Sequence, residues 1–125
     1  MSRNVITIDQ APPIDAFVPT NTVAPGCLIS GTPNERGVRQ FTSDDGKASA
    51  GVWACGTYRE HIPGFPTDEL FFVLEGTVTI SEAGSEPQTY GPGDAFVIRR
   101  GTVCDFDATG PFRKIYMGYE PQPIA

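Results

Sequence analysis

From about Arg39 onward the chain breaks into short runs of β-branched and aromatic residues, each closed within a few positions by Gly, Pro or Asp. Nothing in the sequence constrains the fold more. An amphipathic helix needs an apolar period of about 3.6 sustained over several turns, whereas a half-buried strand needs only a short run with period two. The runs are RQFT, GVWACGTY, LFFVL, TVTIS, QTY, AFVIR, TVCDFD and FRKIYMGY. Turn signals separate them at Asp45-Gly46, Glu75-Gly76, Ala83-Gly84, Gly91-Pro92-Gly93, Arg100-Gly101 and Gly110-Pro111. This pattern predicts an all-β domain, a meander of hairpins forming a sandwich or barrel. Ahead of it lies APPIDAFVPTNTVAPG, where Pro12, Pro13, Pro19 and Pro25 oppose a regular helix and favour an extended arm lying over the sheet.

The chain is 125 residues long, the size of one domain able to bury most of its apolar surface in a single core. Its net charge is −6, and its nine Lys and Arg are scattered apart from Arg99-Arg100, so no basic stripe is available to track phosphates. Nucleic acid is not an expected partner. Cys27, Cys55 and Cys104 are odd in number and widely spaced, which fits neither a disulfide framework nor a zinc ribbon; reduced thiols in a cytoplasm are expected. The N-terminal stretch MSRNVITIDQAPPIDAF is broken by acids and prolines and contains neither a signal-peptide core nor a membrane span. A soluble protein without a membrane partner is the expectation.

Strand parity sorts the side chains into faces. In TVCDFD, Asp105 and Asp107 share one face with Val103, which places Cys104 inward with Thr102 and Phe106. In ELFFVL the alternation fails: Phe71 and Val73 on one side are matched by Leu70, Phe72 and Leu74 on the other. A strand apolar on both faces needs cover on both. The candidates are the N-terminal arm and a second copy of the chain, so a homodimer is expected.

The run from Gly56 to Ala108 resembles the two motifs of the cupins, small double-stranded β-helix or jelly-roll barrels. The first cupin motif sets a Gly, a His-x-His pair, a Glu and a closing Gly at fixed spacing. Gly56, Glu69 and Gly76 fall in those places, with Ile62 and Gly64 where the two histidines belong. In the second motif Gly93 and Gly101 fit, while Arg99 replaces the Pro, Cys104 the His and Ala108 the Asn. The stretches GVWACG, DELFFVLEGTVTI and GPGDAFVI are most similar to small single-domain cupins related to (S)-ureidoglycine aminohydrolase and to the ethanolamine-utilisation cupin. The resemblance implies a cupin jelly-roll barrel over residues 39–125, with residues 1–38 forming the extended N-terminal arm and first strands packed on it, one domain overall. It also implies a small polar ligand in the barrel mouth, of the amine, ureido or related nitrogen class.

In metal-dependent cupins three histidines and a glutamate converge inside the barrel. Of those positions this chain keeps only Glu69. The lone His61 is one residue from the first ligand position, and a one-residue shift turns a side chain to the opposite face unless a bulge at Pro63-Gly64 restores it. Glu69 is the leading candidate for ligand binding, against the alternative of a structural acid satisfied by backbone amides and Tyr or Arg side chains. Cys104, in the place of a ligand histidine, is a candidate ligand-binding thiolate, against the stronger reading of a small buried hydrophobe. Trp53, Phe71 and Tyr116, with Phe106, line a pocket or fill the barrel, and Arg99 beside Arg100 clamps an anionic ligand or is a solvated turn charge. No catalytic residue is assigned. Either no cofactor is bound, or a divalent metal (zinc, manganese or nickel) is held by Glu69, Cys104 and His61. A Cys-His-acid nucleophilic set from the same residues lacks any recognisable oxyanion hole. Three function classes stay open: a ligand-binding cupin with a degenerate metal site, a metal-dependent hydrolase, lyase or isomerase using Glu69 and Cys104, and a non-catalytic dimerising accessory module.

Overall fold

The alternating apolar runs become nine strands of one continuous, curled sheet in a computed structural model that describes residues 4–121. In chain order they are β1 (Val18–Pro19), β2 (Leu28–Gly31), β3 (Arg36–Thr42), β4 (Ala48–Cys55), β5 (Tyr58–Ile62), β6 (Asp68–Glu82), β7 (Gln88–Tyr90), β8 (Ala95–Ile98) and β9 (Cys104–Tyr119). The only helical element among the described residues is a single 3-10 turn, Ile14–Ala16. The order β1-β3-β4-β9-β5-β2 runs across one part of the sheet, and β6 joins β9 to β7 and β8.

Two strands organise the barrel. β6 and β9 are 15 and 16 residues long and pair antiparallel from Asp68↔Tyr119 to Glu82↔Cys104. Each strand spans two of the runs that sequence spacing separates, so Glu75-Gly76 and Gly110-Pro111 are bends within continuous strands instead of hairpin turns. The cause is local and mutual. Gly76 has a φ of 75°, and a Cβ there would sit 2.5 Å from the Pro111 carbonyl oxygen and 2.7 Å from that of Thr109. The register shifts at this point, and the paired strands bend together where only glycine admits such close backbone approach. Beyond the bend, β9 pairs with β4 over Phe112–Tyr119 and with β5 over Cys104–Ala108, so one strand closes both halves of the curl.

Inward side chains follow the two-residue period. Phe71 and Val73 of β6, Phe106, Ala108 and Phe112 of β9, Trp53 and Cys55 of β4 and Tyr58 of β5 form the buried core, with Val78 and Ile98. Aromatic edges pack on faces within it, as in Trp53 against Phe106 and Phe112. The N-terminal segment lies along this sheet: β1 pairs β3, and Asp9 and Gln40 exchange two hydrogen bonds through backbone and side-chain amide.

The outward face of β6 is only partly covered by the described residues. Leu70 is 45% exposed and Phe72 37%, with Val97, Met117 and Tyr119 exposed beside them. Register aligns Leu70 with Val97 on one side and Met117 on the other, and Phe72 with Ala95 and Ile115, so the apolar patch spans three strands in two rows.

Candidate functional site

Inward parity that fills one end of the barrel with aromatic rings leaves the other end open. There Trp53, Tyr58, Glu60, Glu69, Lys114 and Tyr116 face a cavity of about 700 Å³, with Phe71 and Phe106 as its floor. The strand pairing fixes this arrangement: Lys114 sits opposite Trp53 of β4 and Val73 of β6, and Tyr116 sits opposite Phe71.

The Lys114 side chain is buried and runs across the Phe71 ring, its Nζ 3.4 Å from the ring centroid, 4.9 Å from that of Trp53 and 5.9 Å from that of Tyr116. Its ammonium donates to Glu69 Oε2 at 2.6 Å. A cation in such a place needs both a counter-charge and polarisable faces, since burial alone makes the charged form costly. Burial is the largest influence on the amine and lowers its pKa; the Glu69 charge and hydrogen bond oppose that without cancelling it. Glu69 Oε1 is only weakly engaged, with the Thr67 hydroxyl 3.4 Å away. Opposite it on β9 stands Gly118, where a Cβ would lie 3.4 Å from that oxygen, so the glycine leaves the carboxylate its space.

A second carboxyl faces the same cavity. Glu60 is buried on β5 and accepts a hydrogen bond from the Tyr58 hydroxyl at 3.1 Å. Burial pushes its pKa up, against the Tyr58 hydrogen bond, and the Glu35 charge pushes the same way. Glu35 in turn fixes the cavity lip. Its carboxylate accepts from the Thr22 amide and the Val23 amide, both at 3.0 Å, and from the hydroxyls of Thr20 and Thr22. Thr20 also accepts from Trp53 Nε1 at 3.0 Å, which ties the lip to the cavity wall. Burial alone would raise the Glu35 pKa, but these four hydrogen bonds together hold it below the ordinary value.

Comparison with known families now decides the fold's identity. The sequence profile of the EutQ-like cupin domain matches residues 42–116. The chain belongs to that cupin family. Among solved structures, a DUF861-family protein of unknown function from Pseudomonas syringae superposes with a TM-score of 0.80 at 26% identity, over 89% of this chain and 46% of that one. This cupin therefore spans about half the length of that neighbour. A putative ethanolamine utilization protein Q from Salmonella typhimurium matches at 22% identity and TM-score 0.59 over 70% of this chain and 71% of its own. An acetylacetone dioxygenase from Acinetobacter johnsonii matches at 10% identity and TM-score 0.62, over 95% and 78% of the two chains. Both are likenesses of fold. No curated protein matches the sequence significantly.

Cupin barrels raise the question of a metal ion, and the residues of this cupin do not fit one. Glu69 stands on the cavity wall, but its Oε2 already accepts from Lys114, which sets a cation of the chain's own beside the carboxylate. His61 is at the rim, about half exposed, and its Nδ1 lies 2.8 Å from Asp105 Oδ1, beside the Arg59–Asp105 ion pair at 3.2 Å. Cys104 is buried at the far end of β9, paired with Ile62 and Glu82, and is not part of the cavity lining. Burial pushes its thiol up to about 11, with Glu82 and Asp105 adding to the effect, so a thiolate is disfavoured at neutral pH. Ile62 and Gly64 border the cavity without a donor side chain. Among the described residues no three of His, Cys, Asp and Glu come together in a way that could hold a metal ion.

Of the residues singled out from the sequence, Glu69, Trp53, Phe71 and Tyr116 share the cavity wall, with His61 at its rim. Arg99 is exposed and borders a separate, smaller hollow of about 210 Å³ with Glu82 and Thr102. Sequence reasoning missed Lys114 and Glu60. The signal for Lys114 was present in FRKIYMGY, where Phe112, Lys114 and Tyr116 share one parity: a lone cation between two aromatics on the inward face. In YREHI, Tyr58, Glu60 and Ile62 likewise alternate with Arg59 and His61.

Proposed function

We propose that this cupin binds a small polar metabolite in the mouth of its barrel without a metal ion, the ligand being an amine, a ureido compound or a related nitrogen compound. The observation that carries this reading is the Lys114–Glu69 pair at 2.6 Å inside the cavity. It presents a donor and an acceptor side by side, with the weakly engaged Glu69 Oε1 for the ligand's N–H and the Glu60 carboxyl on the same cavity wall. A ureido or amide group carries both matching functions, and an amine matches the carboxylates by charge-assisted hydrogen bonds. Aromatic walls exclude water and strengthen these contacts. The nitrogen class itself comes from the likeness to the ethanolamine-utilisation and ureidoglycine aminohydrolase cupins.

In this reading residues 1–38 act as arm and lip for the barrel of residues 39–125, residues 1–3 and 122–125 lying outside the described residues, in a single-domain cytoplasmic protein that works as a homodimer through the outer face of β6. No helix among the described residues is long and apolar enough to cross a membrane. Trp53 is the only tryptophan and lines the cavity, so its emission reports on occupancy directly. Titration with simple amines, ureas and ureido acids in the presence of a chelator is expected to give a saturable change for at least one of them, weakened in Glu69→Gln. A panel without any saturable response, or a response abolished by chelation, would overturn the reading.

A further inference from the structure

The cavity contains a group whose chemistry exceeds that of a docking charge. Lys114 is one of only two lysines in the chain; the other, Lys47, stands at the turn between β3 and β4. Lys114 differs in every respect that matters to an amine. It is buried, three aromatic rings surround its Nζ, its one anionic contact among the described residues is the Glu69 carboxylate, and it faces a cavity with room for a small organic molecule. Amines so desolvated give up their proton more readily, and a carboxylate in contact can take it.

We propose that Lys114 condenses with a small aldehyde or ketone bound in the cavity, forming a Schiff base. The inference rests on the cavity being a ligand site and adds a covalent substrate class to it. The step balances without any further reagent. The Lys114 ammonium passes one proton to Glu69, and the free amine adds to the carbonyl carbon, forming the C–N bond of a carbinolamine. Glu69 returns its proton to the departing hydroxyl, the C–O bond breaks, and water leaves a protonated imine. The positive charge that began on Lys114 stays on the same nitrogen, still opposite the Glu69 carboxylate. Glu60, held toward its protonated form by burial, is a second acid on the same wall able to donate to the carbonyl oxygen.

Because the chain has two lysines, the test has an internal control. The full-length protein is incubated at neutral pH with propanal or pyruvate and sodium cyanoborohydride, which reduces an imine to a stable secondary amine, and both lysines are mapped by peptide mass. Lys114 is expected to be alkylated roughly tenfold or more faster than Lys47, since a carbonyl held in the cavity beside the amine reacts at an effective concentration that the turn lysine lacks. Glu69→Gln removes both the charge that raises the Lys114 pKa and the acid that protonates the departing hydroxyl, so the pH profile of Lys114 alkylation is expected to change while that of Lys47 does not; an unchanged Lys114 profile would remove Glu69 from the step. Lys114 unmodified, or modified no faster than Lys47 with both probes, would overturn the proposal. Trp53 emission separates the two readings. Saturation without alkylation at Lys114 leaves ligand binding standing and removes the condensation, whereas no response to these probes or to the nitrogen compounds removes both.

Discussion

Lys114 Nζ lies 2.6 Å from Glu69 Oε2, so the glutamate in the place that motif spacing assigns to a cupin metal ligand is bonded to the chain's own cation. The two residues come from β9 and β6, whose long antiparallel pairing sets them on the same inner face four register steps apart, Lys114 opposite Val73 and Glu69 opposite Gly118. Only the length of the lysine stem, laid over Phe71, brings the charges together. A charge so placed is not free to lose its partner.

Removing one member of the pair therefore costs more than removing both. Lys114→Met leaves Glu69 against an apolar wall and is expected to destabilise the fold by about 3 kcal/mol, the order found when a buried ion pair is broken. The double variant Lys114→Met, Glu69→Leu leaves no unpaired buried charge and is expected to recover much of that loss. Denaturant unfolding of the wild type, both single variants and the double variant gives the coupling energy. Independent, additive losses would show that the pair is not a unit.

Glu60 makes stability depend on pH in a particular sense. Burial raises its folded pKa above the ordinary 4.5, so below that value it is protonated in both states and costs nothing. As pH rises through the raised folded value, the unfolded chain has already lost the proton while the folded one holds it or buries a charge, and stability falls. Glu60→Gln keeps an acceptor for the Tyr58 hydroxyl and removes the titration. The variant is expected to match the wild type in acid and to gain relative stability toward neutral pH. Parallel unfolding curves across pH 4 to 8 check it, and a constant difference at every pH would contradict it.

The outward rows Val97–Leu70–Met117 and Ala95–Phe72–Ile115 are apolar across three strands, and two of the most central side chains, Leu70 and Phe72, remain more than a third exposed. A two-fold copy laid face to face would bury them. Sedimentation at micromolar concentration is expected to give a dimer, and Phe72→Lys a folded monomer, because a lysine there would have to enter the interface unpaired. A monomeric wild type, or an unchanged dimer carrying Phe72→Lys, would remove the interface from this face.

Much of this was legible in the sequence. The inward placement of Glu69, Phe71 and Val73, and of Cys104 with Phe106, follows from strand parity alone, and the doubly apolar character of Leu70 to Leu74 marked the outer patch. The failures are equally physical. Glu75-Gly76 and Gly110-Pro111 carry the chemistry of turns, but that chemistry permits a sharp local bend in either a hairpin or a continuous strand; which one forms depends on the partner strand bending at the same place. Lys114 and Glu60 escaped because a lysine or glutamate in a short strand reads as its solvated face. The shared parity of Phe112, Lys114 and Tyr116 hinted otherwise, and the neighbouring strands, with Trp53 and Val73 on either side of Lys114, fix that face as inward.

The most direct test of a lysine in place of a metal ion is the metal content of the protein itself. Protein purified without added metal, passed briefly through chelator and analysed by plasma mass spectrometry is expected to carry well under one equivalent of any transition metal. Wild type, Cys104→Ser and His61→Ala should be indistinguishable, since neither residue meets Glu69 in the cavity. Stoichiometric metal in the wild type that is lost in Glu69→Gln, and in either of the other two variants, would contradict the account and return the site to metal chemistry.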